Sequence, residues 1–184
     1  MDTLILNGSP RSSGDTAALL KAFTDKLTGG YEVIDCYTAD IAPCTDCRCC
    51  RERLFCPKDD EMQRIYRRLT ECGSVVIASP VHYGELSAML LKAAGRFQIY
   101  SSALIFRHEV LPVKAKLGGV ILTQGGSGGA ERAFKTAELI FQSIGIKEVL
   151  PPVYSLSTDS LPAAQDDKAI AAAAALAQKI NSLT

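Results

Sequence analysis

The 184-residue sequence carries no net charge, with twenty Lys and Arg against twenty Asp and Glu. That balance removes the electrostatic reason to expect nucleic acid or an anionic membrane as a partner. No apolar run has the length that a bilayer crossing needs. The opening Met1-Asp2-Thr3-Leu4-Ile5-Leu6 lacks the basic-then-apolar pattern and cleavage site of a signal peptide. A cytoplasmic protein is expected. No internal repeat and no linker-like stretch divides the chain, so residues 1–184 are expected to form one domain, long enough to bury a substantial core. Histidine is scarce, and of the two present His108 carries no signal; His82 gains one only from its place in a loop after a strand.

What the sequence has in quantity is cysteine. Seven cysteines without an export signal point to reduced thiols, metal binding or redox chemistry rather than a disulfide frame. Five lie between 44 and 56, inside a loop placed at 43–58. Cys44, Cys47, Cys50 and Cys56 give C-x2-C-x2-C-x5-C. Short spacers let the sulfurs of a tight loop converge on one soft metal centre. Successive x2 steps are closer to iron–sulfur spacing than to zinc, whose sites usually pair two separate hooks. Substituting Cys49 for Cys50 would leave an x1 step that strains two sulfurs toward one centre. Zinc, free thiols and an oxidation-born disulfide are the competing readings. Arg48, Arg51 and Arg53 are expected to offset the negative charge of a thiolate-bound centre. Cys36 reads as plain core.

Apolar runs at 3–6, 31–37, 74–79, 117–123 and 146–150 read as buried strands. Helical patterns separate them: Leu20, Phe23 and Leu27 up to Gly29-Gly30, then 59–72, 85–98 and 130–144, with an alanine-rich helix over 163–182. The cysteine loop and the 99–114 connection are expected to be irregular, and the stretch after Pro151-Pro152 a polar tail. Strands alternating with helices give a doubly wound, flavodoxin-like sheet of five parallel strands in the order 2-1-3-4-5, with helices on both faces. Two apolar stripes on helix 85–98 suggest cover by a second subunit.

Ligand loops in such folds gather beyond the carboxyl ends of the strands. Here those are 7–16, 80–84 and 124–129. The first is rich in hydroxyls, carries Arg11, and opens a helix, so backbone N–H groups and the helix dipole suit a phosphate. It is neither a Walker loop nor a G-x-G-x-x-G fingerprint; the terminal phosphate of a mononucleotide such as FMN fits it better. The other two loops suit the walls of a planar ring.

The residues Asn7-Gly-Ser-Pro-Arg-Ser-Ser-Gly-Asp-Thr16, Ser79-Pro-Val-His-Tyr-Gly84 and the block from Pro43 to Cys56 with Asp59-Asp60-Glu61-Met62 resemble the NAD(P)H-dependent FMN reductase group. Within it they resemble most the iron–sulfur flavoproteins, over roughly residues 2–150. The resemblance implies phosphate contacts from Ser9, Arg11, Ser13 and Thr16. It implies ring and ribityl contacts from Pro80, Val81, Tyr83 and Gly84, and from Thr123, Gln124, Gly125 and Gly126. It also implies a 4Fe-4S cluster on Cys44, Cys47, Cys50 and Cys56, NAD(P)H as co-substrate, and a homodimer or homotetramer with FMN near a subunit boundary. The sequence departs from the group at Asp15, often an amide, and at His82, often aromatic, where a ring-edge contact is the expectation. The function expected is an FMN oxidoreductase moving electrons between a reductant, the flavin and the cluster, with a small molecule or protein as donor or acceptor. The alternatives are a cluster-free NAD(P)H-dependent FMN or quinone reductase, and a non-catalytic electron carrier or thiol redox sensor.

Overall fold

Leu4, Ile5 and Leu6 are consecutive and all buried, a pattern that needs a strand covered on both faces. The computed structural model describes residues 2–110 and 112–183. It places β1 at Thr3–Asn7, β2 at Tyr31–Asp35, β3 at Ser74–His82, β4 at Glu85–Leu86, β5 at Leu117–Gln124, β6 at Glu148–Val149 and β7 at Val153–Leu156. The main sheet is parallel in the order β2-β1-β3-β5, with β6 and then β7 on the outer side of β5. The sheet has seven strands rather than the expected five; with the β4 hairpin set aside and β6 and β7 taken as one interrupted strand, the order is the expected 2-1-3-4-5.

Side chains alternate between two apolar layers. Leu4, Leu6, Val75, Ile77, Val120 and Leu122 face one, while Ile5, Val76, Ala78 and Ile121 face the other. The first layer is closed by α3 (Met62–Leu69), α4 (Ala88–Ala94), α5 (Gln98–Ser102) and α6 (Ala130–Ser143), which contribute Ile65, Leu90, Ile99 and Phe141. The second is closed by α1 (Asp15–Thr24) and α7 (Asp167–Leu183) through Leu19, Phe23, Leu176 and Ile180. Cys36 and Cys72 are fully buried thiols in the first layer; burial pushes Cys36 up to about 12 and Cys72 up to about 11. Among the described residues no helix is long and apolar enough to cross a membrane.

Several element boundaries differ from expectation for identifiable reasons. The fifth strand is split. Leu150 N–H still donates to the Gly118 carbonyl (2.9 Å), but Pro151 and Pro152 have no N–H to continue the ladder, so the chain crosses them and pairs again from Val153. The supposed polar tail therefore contains β7. The helix expected from 85 begins only at Ala88, because Glu85 and Leu86 fold back on His82 and Val81 as an antiparallel hairpin. Of its two apolar stripes, Leu90, Ala93 and Phe97 are buried by the chain itself, and Met89 partly so. The 99–114 connection is partly helical, with α5 followed by a wide turn over Ala103–Arg107. The cysteine loop holds one helical turn, α2 (Cys49–Glu52).

Candidate functional site

The loop after β1 is built as a cup. Gly8 N–H donates to the Ala78 carbonyl (2.7 Å), and a Cβ at Gly8 would lie 2.6 Å from Ser87 Oγ, so only glycine lets the chain pass here. Asn7 Oδ1 accepts the Ser9 N–H (3.0 Å), and buried Ser9 Oγ accepts the Arg11 N–H (3.3 Å). The first i to i−4 bond of α1 runs from Ala18 N–H to the Gly14 carbonyl (3.0 Å). The N–H groups of Asp15, Thr16 and Ala17 thus precede the helical ladder, at the positive end of the dipole. Ser13 and Arg11 are exposed at the mouth. The Asp15 carboxylate is engaged by partners of its own: it accepts the Ala163 N–H (2.9 Å) and pairs with Arg11 (3.1 Å).

Thr16 and Thr123, both buried, stand 2.8 Å apart through their hydroxyls. The bond uses one of the two hydroxyl protons, so the other is available to a third acceptor. It also joins the cup to the glycine loop after β5. That loop is braced from the other side, since Ser157 N–H donates to Gly126 carbonyl (2.7 Å) and Thr158 N–H to Gln124 carbonyl (3.0 Å). Gln124 donates its amide to the Gly128 carbonyl and leaves Oε1 buried without a partner. Segment 157–163 thus belongs to the site's frame. Sequence reasoning missed it because its bonds are made by backbone groups, which leave no residue signature.

The third loop is a two-residue hairpin. Tyr83 (φ 55°) and Gly84 (φ 75°) both adopt left-handed conformations, as the turn that matches strand twist requires. Glycine accepts this freely, but for tyrosine it is strained. Tyr83 is fully exposed, so no packing in the chain compensates. Glu85 anchors the hairpin to α6 by pairing with Arg132 (2.9 Å) and accepting from Thr136 (2.8 Å). His82 is exposed beside Tyr83, Pro80 is half-buried and Val81 is buried.

The cysteine loop leaves the same end of the sheet, with Cys36 N–H on the Asn7 carbonyl (2.8 Å). Cys44, Cys47, Cys50 and Cys56 line one cavity of about 40 Å³ with Arg96 and Ser102, while Cys49 is not part of its wall. Cys50 Sγ donates to Ser102 Oγ (3.3 Å). Asp46 and Arg48 both take positive φ, which winds the loop tightly between the first cysteines. Hydrogen bonds from Cys49 hold the Cys47 thiol below the ordinary thiol range, and the same bond raises Cys49. Among the described residues no three His, Cys, Asp or Glu side chains stand close enough to share a metal ion. The donor set suits a thiolate-held centre. The cavity is narrow, but Cys44 and Cys47 are exposed, so widening it displaces no packed core.

Comparison with known proteins identifies the family. Residues 1–160 match the family described as NADPH-dependent FMN reductase. An iron–sulfur flavoprotein of Methanosarcina thermophila is 29% identical over 136 residues, covering 71% of this chain and 68% of that protein. One from Archaeoglobus fulgidus is 28% identical over 176 residues, covering 94% and 76%. The fold is similar to that of an NAD(P)H:quinone oxidoreductase from Methanothermobacter marburgensis, with a TM-score of 0.69 at 15% identity over 100% of this chain and 96% of that one. The loops at the carboxyl ends of β1, β3 and β5 therefore belong to a member of the NADPH-dependent FMN reductase family, a group of FMN-dependent oxidoreductases, close to the iron–sulfur flavoproteins.

Proposed function

We propose that the chain, as one FMN-binding domain, takes electrons from NAD(P)H and passes them through FMN to a 4Fe-4S cluster held by Cys44, Cys47, Cys50 and Cys56. The observation that carries this reading is the cavity lined by those four cysteines and not by Cys49. FMN supplies the exchange between two-electron and one-electron transfer, and the cluster a one-electron relay. The protein's part is placement and charge. Ser9, Arg11, Ser13 and Thr16 bind the phosphate in the cup, helped by the free N–H groups of the first helical turn. Pro80, Val81, His82, Tyr83 and Gly84 bound the ring on one side, and Thr123, Gln124, Gly125 and Gly126 present hydroxyl, amide and backbone groups to its polar edge. No side chain need act as nucleophile or general base.

Two experiments test the reading. Replacing Ser9 and Arg11 with alanine weakens FMN binding much more than riboflavin binding, since riboflavin has no phosphate; equal losses would refute the cup assignment. Anaerobic reconstitution with iron and sulfide gives about four irons per chain, lost in Cys50→Ser and kept in Cys49→Ser. Absence of iron uptake would favour the cluster-free NAD(P)H-dependent reductase. The reading includes a homodimer or homotetramer. Tyr83 is fully exposed, and Leu104, Ile105 and Phe106 form an exposed apolar run, so a second copy has surface to cover. A monomeric mass in light scattering at micromolar concentration, with FMN bound, would count against it.

A further inference from the structure

The arginines within the cysteine loop are already engaged. Arg48 pairs with Asp46 (3.3 Å), Arg51 lies 4.4 Å from the Phe106 ring centre, and Arg53 lies 5.9 Å from that of Phe55. Two arginines beneath the loop have more deeply buried side chains. Arg96, 2% exposed, lines the four-cysteine cavity, as do Arg48 and Arg51, whereas Arg107 is not part of its wall and reaches the loop through the Cys50 carbonyl. Its Nη1 donates to the Ala42 carbonyl (2.7 Å) and to Asp60 Oδ2 (2.6 Å), and Nη2 donates to Asp60 Oδ1 (3.2 Å). Asp60 Oδ2 also accepts the Ala42 N–H (3.0 Å). Ala42 and Asp60 flank the loop on either side, so a single buried ion pair closes its neck. Arg107, whose side chain is 9% exposed, donates Nη1 to the Cys50 carbonyl and pairs through Nε with Glu109 (2.9 Å).

Each guanidinium keeps one buried nitrogen without a partner, Nε of Arg96 and Nη2 of Arg107. Buried unpaired N–H groups are rare in native proteins and call for an acceptor. Two of them, on separate residues tied to the same thiol loop, are suited to sulfur atoms carrying negative charge. Burial works against the charge on Arg96, but the hydrogen bond to Asp60 and the charge of that carboxylate outweigh it.

We propose that Arg96 and Arg107 are positioning residues of the cysteine pocket: they clamp its backbone and reserve two N–H groups for the sulfur atoms of an anionic, thiolate-held centre. The proposal rests on the cluster reading only for the identity of that centre. It is tested with Cd²⁺ as a thiolate probe, titrated by calorimetry into the reduced, FMN-loaded protein under argon. Arg96→Met and Arg107→Met are expected to weaken Cd²⁺ binding tenfold or more, and Arg96→Lys to recover part of the loss. In protein reconstituted with iron and sulfide, the ratio of reduced to oxidised cluster at fixed potential falls about tenfold in either Met variant, because a cation favours the reduced, more negative state. That ratio is a quantity that a purely scaffolding role would leave unchanged. If Arg96→Met fails to fold, Arg107→Met decides, since Glu109 lies largely in solvent. Unchanged Cd²⁺ affinity in the folded variants, with an unchanged ratio, would overturn the proposal and leave the cluster reading intact. Arginine-dependent Cd²⁺ binding without iron uptake would support the proposal and sink the cluster reading instead.

Discussion

Two residue pairs hold the site together, and each makes a separate prediction. Thr16 and Thr123 share a buried hydrogen bond between the phosphate cup and the glycine loop. Thr16→Val keeps the shape but leaves the Thr123 hydroxyl short of its partner. A stability loss of about 1–3 kcal/mol in urea unfolding is expected, together with weaker FMN binding. The Arg96–Asp60 pair is buried on both sides, at 1% and 7% side-chain exposure. Removing one partner strands the other, so Asp60→Ala is expected to cost about 3–5 kcal/mol. Burial opposes the Asp60 carboxylate, but Arg96 and the Ala42 N–H overcome it and hold its pKa below the ordinary value. A depressed carboxylate stabilises above its unfolded pKa, and that contribution is lost as pH falls through the folded one. Hydrogen exchange in residues 43–58 should therefore quicken in acid sooner than exchange in the sheet.

At the scale of elements, the β3–β4 hairpin is where local preference and structure conflict. A tyrosine in left-handed conformation, with its ring in solvent, costs stability without return inside the isolated chain. Asparagine tolerates that conformation. Tyr83→Asn is thus expected to stabilise the protein by about 1 kcal/mol while slowing NAD(P)H oxidation. A variant that is less stable, or equally active, would remove the functional reading of the strain. The interruption of the fifth strand follows the opposite logic. Pro151 and Pro152 were legible as a stop, and they do stop the ladder. What no local pattern announced is that Val153–Leu156 resumes it further along β5.

For the whole molecule, the first apolar layer sets the alkaline limit of stability. Burial raises Cys36 to about 12 and Cys72 to about 11, and raises the Tyr66 and Tyr100 phenols. Groups with raised pKa stabilise fully below their unfolded values and lose that contribution as pH rises toward the folded ones. Thermal unfolding should move to lower temperature between about pH 9 and 12, and Cys36→Ala should flatten the slope. At pH 8 in the native protein, alkylation should reach the loop cysteines and spare Cys36 and Cys72, because a buried, protonated thiol is a poor nucleophile.

The layered parallel sheet was readable from the chain, because strands buried on both faces must be continuous apolar runs: Leu4-Ile5-Leu6 and Val75-Val76-Ile77 admit little else. The cup was readable for a similar reason, since donors clustered between a strand and a helix are a local property. Spacer length set Cys44, Cys47, Cys50 and Cys56 apart from Cys49; the four line one cavity, but among the described residues no three such side chains stand close enough to share a metal ion. Tertiary structure alone decided what depends on distant partners. Asp15 was given a hydrogen-bond partner in Ala163, 148 residues away. The 157–159 segment was drawn into the site by backbone bonds that carry no residue identity. Arg96 sits in a stretch that reads as an ordinary amphipathic helix, and it closes the cysteine loop only because folding brings Ala42 and Asp60 to one place. Spacing along the chain encodes local geometry, whereas long-range pairing is encoded only in how the layers pack.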